Sequence, residues 1–284
     1  MCPLWLNVFF MAKRSSNHPV NIGVFDSGMG GLTVLKELIR LFPHAHYQYF
    51  GDTARLPYGS KSAETVAKYA KSSARFLQSR GADLLVVACN TATALALGPI
   101  KDALRIPVIG VVEPGASRAS EVSQSRKVAV IATEATISSH AYQRALKKRG
   151  IQAREKACPL FVPLVEEGWT EHSVTRQVAE IYLNELFADD SQTDVLLLGC
   201  THYPLLSALL RQLTPPRVAI VDSAESTAAA VVQHFKKNKT LSQSQNSPPK
   251  LSFFATDSVE KFQRIGERFL GQRIEEVKLV QLKS

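Results

Sequence analysis

The sequence predicts an α/β protein with two pseudo-symmetric lobes, each built on a mainly parallel sheet. Aliphatic runs alternate with amphipathic helical segments along most of the chain, and one unit occurs twice. The unit reads DLLVVACNT at 83–91 and DVLLLGCTH at 194–202. A near-continuous aliphatic run of this length is typical of a strand buried on both faces of a parallel sheet. The repeat therefore predicts one central strand, ending near one cysteine, in each lobe.

The elements of the first lobe are expected within residues 21–113. A strand at 22–25 leads through a glycine-rich turn into a helix whose leucines recur at helical spacing from Leu32. HYQYFGD is expected to be a second strand, followed by the loop TARLPYGSKS and a helix over 64–79. The Cys89 strand and its helix come next. IPVIGVVEP is then expected to be a strand that leaves this lobe.

The second lobe is expected within residues 114–223. KVAVIAT begins a new β/α unit with a helix over 138–149, and CPLFVPLVEEGW is interpreted as a mixed loop. A helix over 174–186, the Cys200 strand and the strand RVAIVDS complete this lobe. Pro204 is well placed for the first turn of a helix after Cys200.

The last segment, residues 224–284, is assigned to the first lobe, which makes that lobe discontinuous. It holds a helix over 227–236, the polar stretch KKNKTLSQSQNSPPK, the strand LSFFATDS and a helix over 259–269. The polar stretch has two prolines and no periodicity, which is typical of a surface loop or linker. The final strand needs a sheet to join, so the chain is expected to cross over near Pro114 and to return near Asp222.

Composition narrows the class of protein. The 284 residues are 45% hydrophobic, and the formal net charge of +9 is dispersed rather than gathered on an aromatic-rich basic face. Nucleic-acid binding is therefore not favoured. No run reaches transmembrane length. In residues 1–20 the charges follow the apolar stretch, which is the wrong order for a secretory signal. We expect a cytoplasmic protein with an N-terminal extension over 1–20, or a start at Met11.

Cys89 and Cys200 are each expected where a strand ends and a helix begins, the ligand-binding edge of an open α/β sheet. Helix N-terminal amides favour a thiolate there. Three alternatives compete with a functional role. A cysteine at this place can be a small buried hydrophobe. A structural zinc site is disfavoured because no C-x-x-C or H-x-x-x-H occurs, and a disulfide because the four cysteines are scattered and nothing points to export.

Several other motifs allow two interpretations each. The turn DSGMGG at 26–31 is not a nucleotide-binding fingerprint. Asp26 could cap the following helix or could point into a site. The Tyr58-Gly59 pair is interpreted first as part of a turn and second as part of a binding site. Glu166 could be one of a solvated carboxylate pair. His202 could be a satisfied polar group or the acid/base partner of Cys200.

Two thiols that face each other across a cleft suit the inversion of a carbon centre. Such a reaction needs a base on one face of the carbon and an acid on the other, and the two exchange roles in the reverse direction. Each thiol needs help, because an unperturbed pKa of about 8.5 leaves only a few per cent thiolate at neutral pH. Asp26 near Cys89 and His202 near Cys200 are candidate proton acceptors. A sulfur separation of roughly 6–8 Å would leave room for one carbon.

At these residues the chain resembles a known family. FDSGMGGLTV, GDTARLPYGSKS, ACNTATA, FVPLVEEG and LGCTHYPLL are similar to the motifs of glutamate racemases, over about residues 22–271. The resemblance implies two Rossmann-like lobes with the active site in the cleft between them. It implies that Cys89 and Cys200 are the acid/base residues, assisted by Asp26, His202 and Glu166. It also implies an enzyme that needs neither pyridoxal phosphate nor a metal and supplies D-glutamate for peptidoglycan, and so for the cell wall and cell shape.

The same resemblance implies a set of glutamate-binding residues. They are Asp26, Ser27, Tyr58, Gly59, Asn90, Thr91, Thr133, Thr136, Thr201 and His202. A homodimer and activation by a peptidoglycan precursor remain open. Two alternatives also remain: an aspartate or hydantoin racemase of the same superfamily, and a regulator that binds DNA gyrase, as some glutamate racemases are reported to do.

Overall fold

The computed structural model describes residues 19–188, 192–237 and 248–282. Its strands are β1 (Asn21–Asp26), β2 (His46–Gly51), β3 (Leu84–Val87), β4 (Val108–Gly110), β5 (Lys127–Ala132), β6 (Gln152–Ala157), β7 (Val195–Gly199), β8 (Ala219–Asp222), β9 (Leu251–Ala255) and β10 (Val277–Leu279). Its helices are α1 (Leu32–Leu41), α2 (Ala63–Ser79), α3 (Asn90–Ala103), α4 (Val112–Val122), α5 (Glu134–Ser138), α6 (Ala141–Lys147), α7 (Phe161–Glu166), α8 (Ser173–Phe187), α9 (Ser207–Leu213), α10 (Ser223–Lys237) and α11 (Val259–Leu270).

The strands form two separate sheets, and the strand pairs within each are parallel. The first sheet has the order β10-β9-β2-β1-β3-β4, and the second has the order β6-β5-β7-β8. Helices connect the strands of each sheet. The predicted α/β class with two lobes and mainly parallel sheets is therefore confirmed.

The repeated unit forms an interior strand of each sheet. β3 lies between β1 and β4, and β7 lies between β5 and β8. Every residue of β3 and of β7 is buried, as an aliphatic run covered on both faces requires. Because all strands in a sheet point the same way, Asp26, Cys89 and Cys200 lie at or just beyond the carboxyl ends of their strands.

Five elements differ from the sequence interpretation. The single helix expected over 138–149 is replaced by α5, which ends at Ser138, and α6, which covers Ala141–Lys147. IPVIGVVEP was expected to be one strand, but only Val108–Gly110 is a strand, and helix α4 begins at Val112. CPLFVPLVEEGW is not a loop throughout, because it contains α7. Pro163 is tolerated near the start of α7, where the amides have no helical partner. The strands β6 and β10 were not anticipated. Both are edge strands: β10 has only three residues, and β6 (QAREKA) is largely polar, so the aliphatic signal is missing.

The chain leaves the first sheet after β4, builds the second sheet, and returns through α10 to add β9 and β10 to the first sheet. Helix α10 packs against α1. The domain boundaries 21–113 plus 224–284 and 114–223 stay a prediction. Of the expected extension over 1–20, residues 1–18 lie outside the described residues, as does Met11. Most of the polar stretch at 236–250 also lies outside them.

Membrane insertion through a helix finds no support in the part of the chain that the structure describes. None of the helices there combines the length and the apolar composition that a membrane span needs.

Candidate active site

A cavity of about 440 Å³ lies between the two lobes, at the carboxyl ends of their central strands. Both cysteines of the repeated unit border it. The sequence-predicted residues in its wall are Ser27, Tyr58, Gly59, Cys89, Asn90, Thr91, Thr133, Glu166, Cys200, Thr201 and His202. Asp26 and Thr136 do not line the wall: Asp26 directly precedes Ser27 in the chain, and the Thr136 hydroxyl lies within hydrogen-bond distance of Thr91 and Thr133.

Cys89 caps the N-terminus of α3. The backbone amide of Ala92 donates to its sulfur at 3.4 Å, and the thiol lies 3.5 Å from Ser27 Oγ. Burial raises the pKa of Cys89 to about 12, and the nearby Asp26 charge adds to the rise, while the hydrogen bond with Ser27 opposes it. At neutral pH Cys89 is therefore a protonated thiol, held by the helix terminus and able to donate its proton.

Asp26 ends β1 and is almost fully buried. Its Oδ2 accepts a hydrogen bond from the Gly28 amide at 2.9 Å, whereas its Oδ1 has no partner among the described residues. Burial raises the pKa of Asp26, and the charge of His202 and the Gly28 amide only partly offset this effect. A buried carboxylate oxygen without a donor is costly, so this atom favours a cationic group that would donate to it.

Cys200 and His202 form the matching pair on the second lobe. The His202 Nδ1 lies 3.9 Å from the Cys200 sulfur and 3.4 Å from Thr201 Oγ1. Burial alone lowers the pKa of His202, but hydrogen bonds with Cys200 and Glu166 outweigh it and raise the pKa to about 10. His202 is therefore an imidazolium at neutral pH, and a cation at this distance stabilises a thiolate.

Glu166 sits behind His202 and connects it to a lysine. Its Oε1 lies 3.3 Å from His202 Nε2, and its Oε2 lies 3.5 Å from Lys261 Nζ. Burial raises the pKa of Glu166, but the contacts with His202 and then with Lys261 outweigh burial and hold the pKa below its usual range. Glu166 is thus an ionised carboxylate shared between two cations.

Three threonine hydroxyls meet across the lobes at the other end of the cavity. Thr91 Oγ1 from the first lobe lies 3.0 Å from Thr133 Oγ1 and 3.2 Å from Thr136 Oγ1 of the second. Thr133 and Thr136 are 2.9 Å apart. Hydroxyls can rotate to donate, so this group can hold a carboxylate. Its members come from both lobes, which links such binding to closure of the cleft.

Tyr58 and Asn90 are placed differently from each other. The Tyr58 hydroxyl donates to the buried Asp52 Oδ2 at 2.6 Å, which fixes this side chain in the cavity wall beside Gly59. The Tyr142 hydroxyl donates to Asn90 Oδ1 at 2.5 Å. The amide nitrogen of Asn90 is buried without a partner in the described part of the chain, which leaves a donor for a ligand.

The glycine turn brings the two lobes into direct contact. A Cβ at Gly30 would collide with both His202 Nδ1 and Thr201 Oγ1. Thr33, the second residue of α1, donates from Oγ1 to the Thr201 carbonyl oxygen at 3.1 Å. Gly30 in DSGMGG is therefore required for the close approach of the lobes.

Sequence reasoning missed part of the wall. Ser60, Glu134, Val162, Pro163 and Lys261 also line the cavity. Lys261 is the most important residue that the sequence did not indicate, because it contacts Glu166. A lysine in an amphipathic helix has no local sequence signal for such a role. No group of three or more potential metal ligands occurs among the described residues.

Comparison with known proteins assigns the chain to a family. The Asp/Glu/Hydantoin racemase family matches residues 22–231. The chain belongs to this family. It is therefore a racemase, an isomerase that inverts a carbon centre, and the two-thiol site lies within the matched region.

Three proteins similar to this racemase are glutamate racemases. It is 55% identical to a glutamate racemase of Koribacter versatilis, over 94% of this chain and 99% of the relative. It resembles the structure of a Francisella tularensis glutamate racemase in complex with D-glutamate, with 36% identity, a TM-score of 0.85, and coverage of 94% of this chain and 98% of that one. It also resembles an Escherichia coli glutamate racemase in complex with L-glutamate and the activator UDP-MurNAc-Ala, with 25% identity, a TM-score of 0.76, and coverage of 94% and 100%.

Proposed function

We propose that this racemase interconverts L-glutamate and D-glutamate by passing protons between the α carbon and two cysteines. One observation carries the proposal: Cys89 and Cys200 border the same cavity from different lobes, each at the carboxyl end of a buried parallel strand. A planar carbanion held between them would have one sulfur on each face. Reprotonation from the face opposite to the abstraction inverts the centre.

The charges around the cavity assign starting roles to the two sulfurs. His202 is an imidazolium 3.9 Å from the Cys200 sulfur, and we assign to Cys200 the role of the base in one direction. Cys89 is protonated, because burial raises its pKa to about 12. In one direction Cys200 removes the α proton and Cys89 donates one. Turnover leaves Cys89 as the thiolate and Cys200 as the thiol, which is the arrangement that the reverse direction needs.

Asp26 and the threonine hydroxyls provide complementary contacts for an amino acid. The α-ammonium group would donate to the unpartnered Asp26 Oδ1 and supply the positive charge that this buried carboxyl lacks. The same cation would reduce the repulsion between Asp26 and a Cys89 thiolate. The hydroxyls of Thr91 and Thr133, together with the Asn90 amide, would donate to a carboxylate. Ser27 and Thr201 complete the proposed contacts.

Glutamate, rather than aspartate, is the proposed substrate because curated relatives at 41–55% identity, including the Koribacter versatilis protein, are glutamate racemases. The likeness to a Picrophilus torridus aspartate racemase, at 19% identity and a TM-score of 0.55, shows the fold alone. The product D-glutamate would serve peptidoglycan synthesis in the cytoplasm. Activation by UDP-MurNAc-Ala, as in the Escherichia coli protein, is tested by adding that compound to the assay.

The test is circular dichroism of the purified protein with L-glutamate, with L-aspartate, and with neither. The protein is dialysed against EDTA and assayed without pyridoxal phosphate, since the proposed chemistry uses side chains alone. We expect the signal of L-glutamate to decay to zero and that of L-aspartate to persist. Faster decay with L-aspartate would reassign the substrate, and no decay with either would refute the proposal. Size-exclusion chromatography with light scattering tests whether the protein is a homodimer, which the sequence leaves open.

A further inference from the structure

Helix α11 reaches the His202–Glu166 pair, although it comes from the returning C-terminal segment, beyond the family match over 22–231. Two of its side chains contact the pair, and a third contacts the turn that follows α7. Lys261 Nζ lies 3.5 Å from Glu166 Oε2. The Phe269 ring packs edge-on against the His202 imidazole, with centroids 5.1 Å apart. The Arg268 guanidinium lies over the turn after α7, where a Cβ at Gly168 would collide with it.

The helix therefore fixes the pair from two directions. Phe269 limits how the imidazole ring can tilt, and Lys261 holds the carboxylate oxygen that His202 does not use. Helix α11 packs against α1 of the first lobe, whereas α7, which carries Glu166, belongs to the second. The contact thus joins the lobes at the His202–Glu166 pair.

We propose that Lys261 is a positioning residue, which orients Glu166 from across the cleft and so sets how tightly His202 holds its proton beside Cys200. The inference rests on the two-cysteine function proposed above and deepens it. Lys261 acts through Glu166 rather than through the α carbon.

Electrostatics predicts the direction in which Lys261 shifts the pKa of His202. The charged and titratable groups that face His202 are Cys200 on its own loop, Asp26 from β1 and Glu166 from α7, with Lys261 of α11 behind Glu166. A lysine at Oε2 draws negative charge away from Oε1 and also repels the imidazolium. The first effect weakens the contact between Glu166 and the His202 proton, and the second disfavours the protonated imidazole directly. Removing the ammonium should therefore raise the pKa of His202 further.

The magnitude is limited by solvent, because the Lys261 side chain is about half exposed. Ion pairs of this kind typically contribute at most about 1 kcal/mol, which corresponds to about a fivefold change in rate or about 0.7 pKa unit. Loss of Lys261 should thus slow the enzyme by about fivefold. That is well below the 10²- to 10⁴-fold expected from losing a positioned acid/base group itself.

The experiment compares Lys261→Met, Lys261→Arg and Lys278→Met in the full-length protein. Lys278 is a matched control, since it forms an exposed ion pair with Glu276 on the same C-terminal segment but away from the cavity. Three quantities are measured: the His202 titration by NMR of histidine-labelled protein, assigned with His202→Asn; kcat and KM in both directions; and the Tm.

We expect Lys261→Met to raise the pKa of His202 by several tenths of a unit and to lower kcat about fivefold, with deuterium isotope effects changed as in His202→Asn. Lys261→Arg should restore most of both, and Lys278→Met should match the parent protein. An unchanged His202 titration in Lys261→Met, or an equal loss in the Met and Arg variants, would overturn the inference.

A failure of this inference can be told apart from a failure of the proposed function. If Cys89→Ser and Cys200→Ser abolish racemisation while Lys261→Met changes nothing, only the role of Lys261 is wrong. If either serine variant racemises glutamate at the parent rate, the two-cysteine function itself is wrong.

Discussion

Gly30 offers a test of how closely the lobes must approach, because a single methyl group there would enter the space of His202 and Thr201. A Cβ at Gly30 would collide with His202 Nδ1 and Thr201 Oγ1, and carbon needs roughly 3.5 Å or more from such atoms. The imidazole or the whole turn must therefore move by about 1 Å. A displacement of that size at a reacting group can cost on the order of 10²-fold in rate. Gly30→Ala should lower kcat by about that factor.

The same change should also destabilise the protein, since inserting a methyl group into a packed contact costs about 1–3 kcal/mol. Gly98→Ala is the matched control. Gly98 lies inside α3, and nothing lies within 4 Å of the position its Cβ would take. Alanine there should stabilise the helix by about 0.5–1 kcal/mol and leave kcat unchanged. Urea unfolding and circular dichroism assays measure both quantities. Parent activity in Gly30→Ala would refute the close-contact explanation of this glycine.

Three further predictions concern the acid/base groups and the hydroxyl cluster. His202→Asn should lower turnover by 10²- to 10⁴-fold, with its deuterium isotope effects changed most for the enantiomer whose proton Cys200 removes, and Asp26→Asn should show the opposite bias; identical patterns would return His202 to a structural role. Because the pKa of His202 is raised to about 10, its contribution to stability should be complete below pH 6.5 and lost as pH rises towards 10. Measured by urea unfolding, the free energy of unfolding of the parent protein should therefore fall over that pH range by more than that of His202→Asn. Thr133→Val should raise KM by about 10-fold or more through loss of a hydrogen bond to a carboxylate, whereas Thr136→Val, outside the cavity wall, should raise it less; equal KM values would remove Thr133 from the binding site.

The positions of both cysteines could be predicted from the sequence, since an aliphatic run specifies a buried parallel strand and the site of such folds lies where these strands end. Asp26 follows from the same rule. The two central strands carry so little polar character that few other arrangements could bury them. The family resemblance added the residues whose local pattern fits a turn or a helix cap equally well, such as Tyr58.

The contacts made by α11 could not be predicted in this way. Lys261 and Phe269 approach Glu166 and His202 only because the chain returns to the first sheet and packs α11 near α7. That juxtaposition depends on tertiary packing between segments about 100 residues apart in sequence. Helix α7 was missed for a different reason, since its internal proline, Pro163, and its length of six residues hide the helical period.

The placement of the two thiols on opposite faces of the substrate is tested most directly with Cys89→Ser and Cys200→Ser. Each should lose racemisation in both directions, because each direction needs one acid and one base, and a serine hydroxyl is too weak an acid to replace the thiol. Each variant is then given both enantiomers of a glutamate analogue with a leaving group on the β carbon, whose elimination needs a single base. We expect each variant to eliminate from one enantiomer only, and the two variants to prefer opposite enantiomers. Elimination from both enantiomers at equal rates by both variants would contradict the two-face assignment.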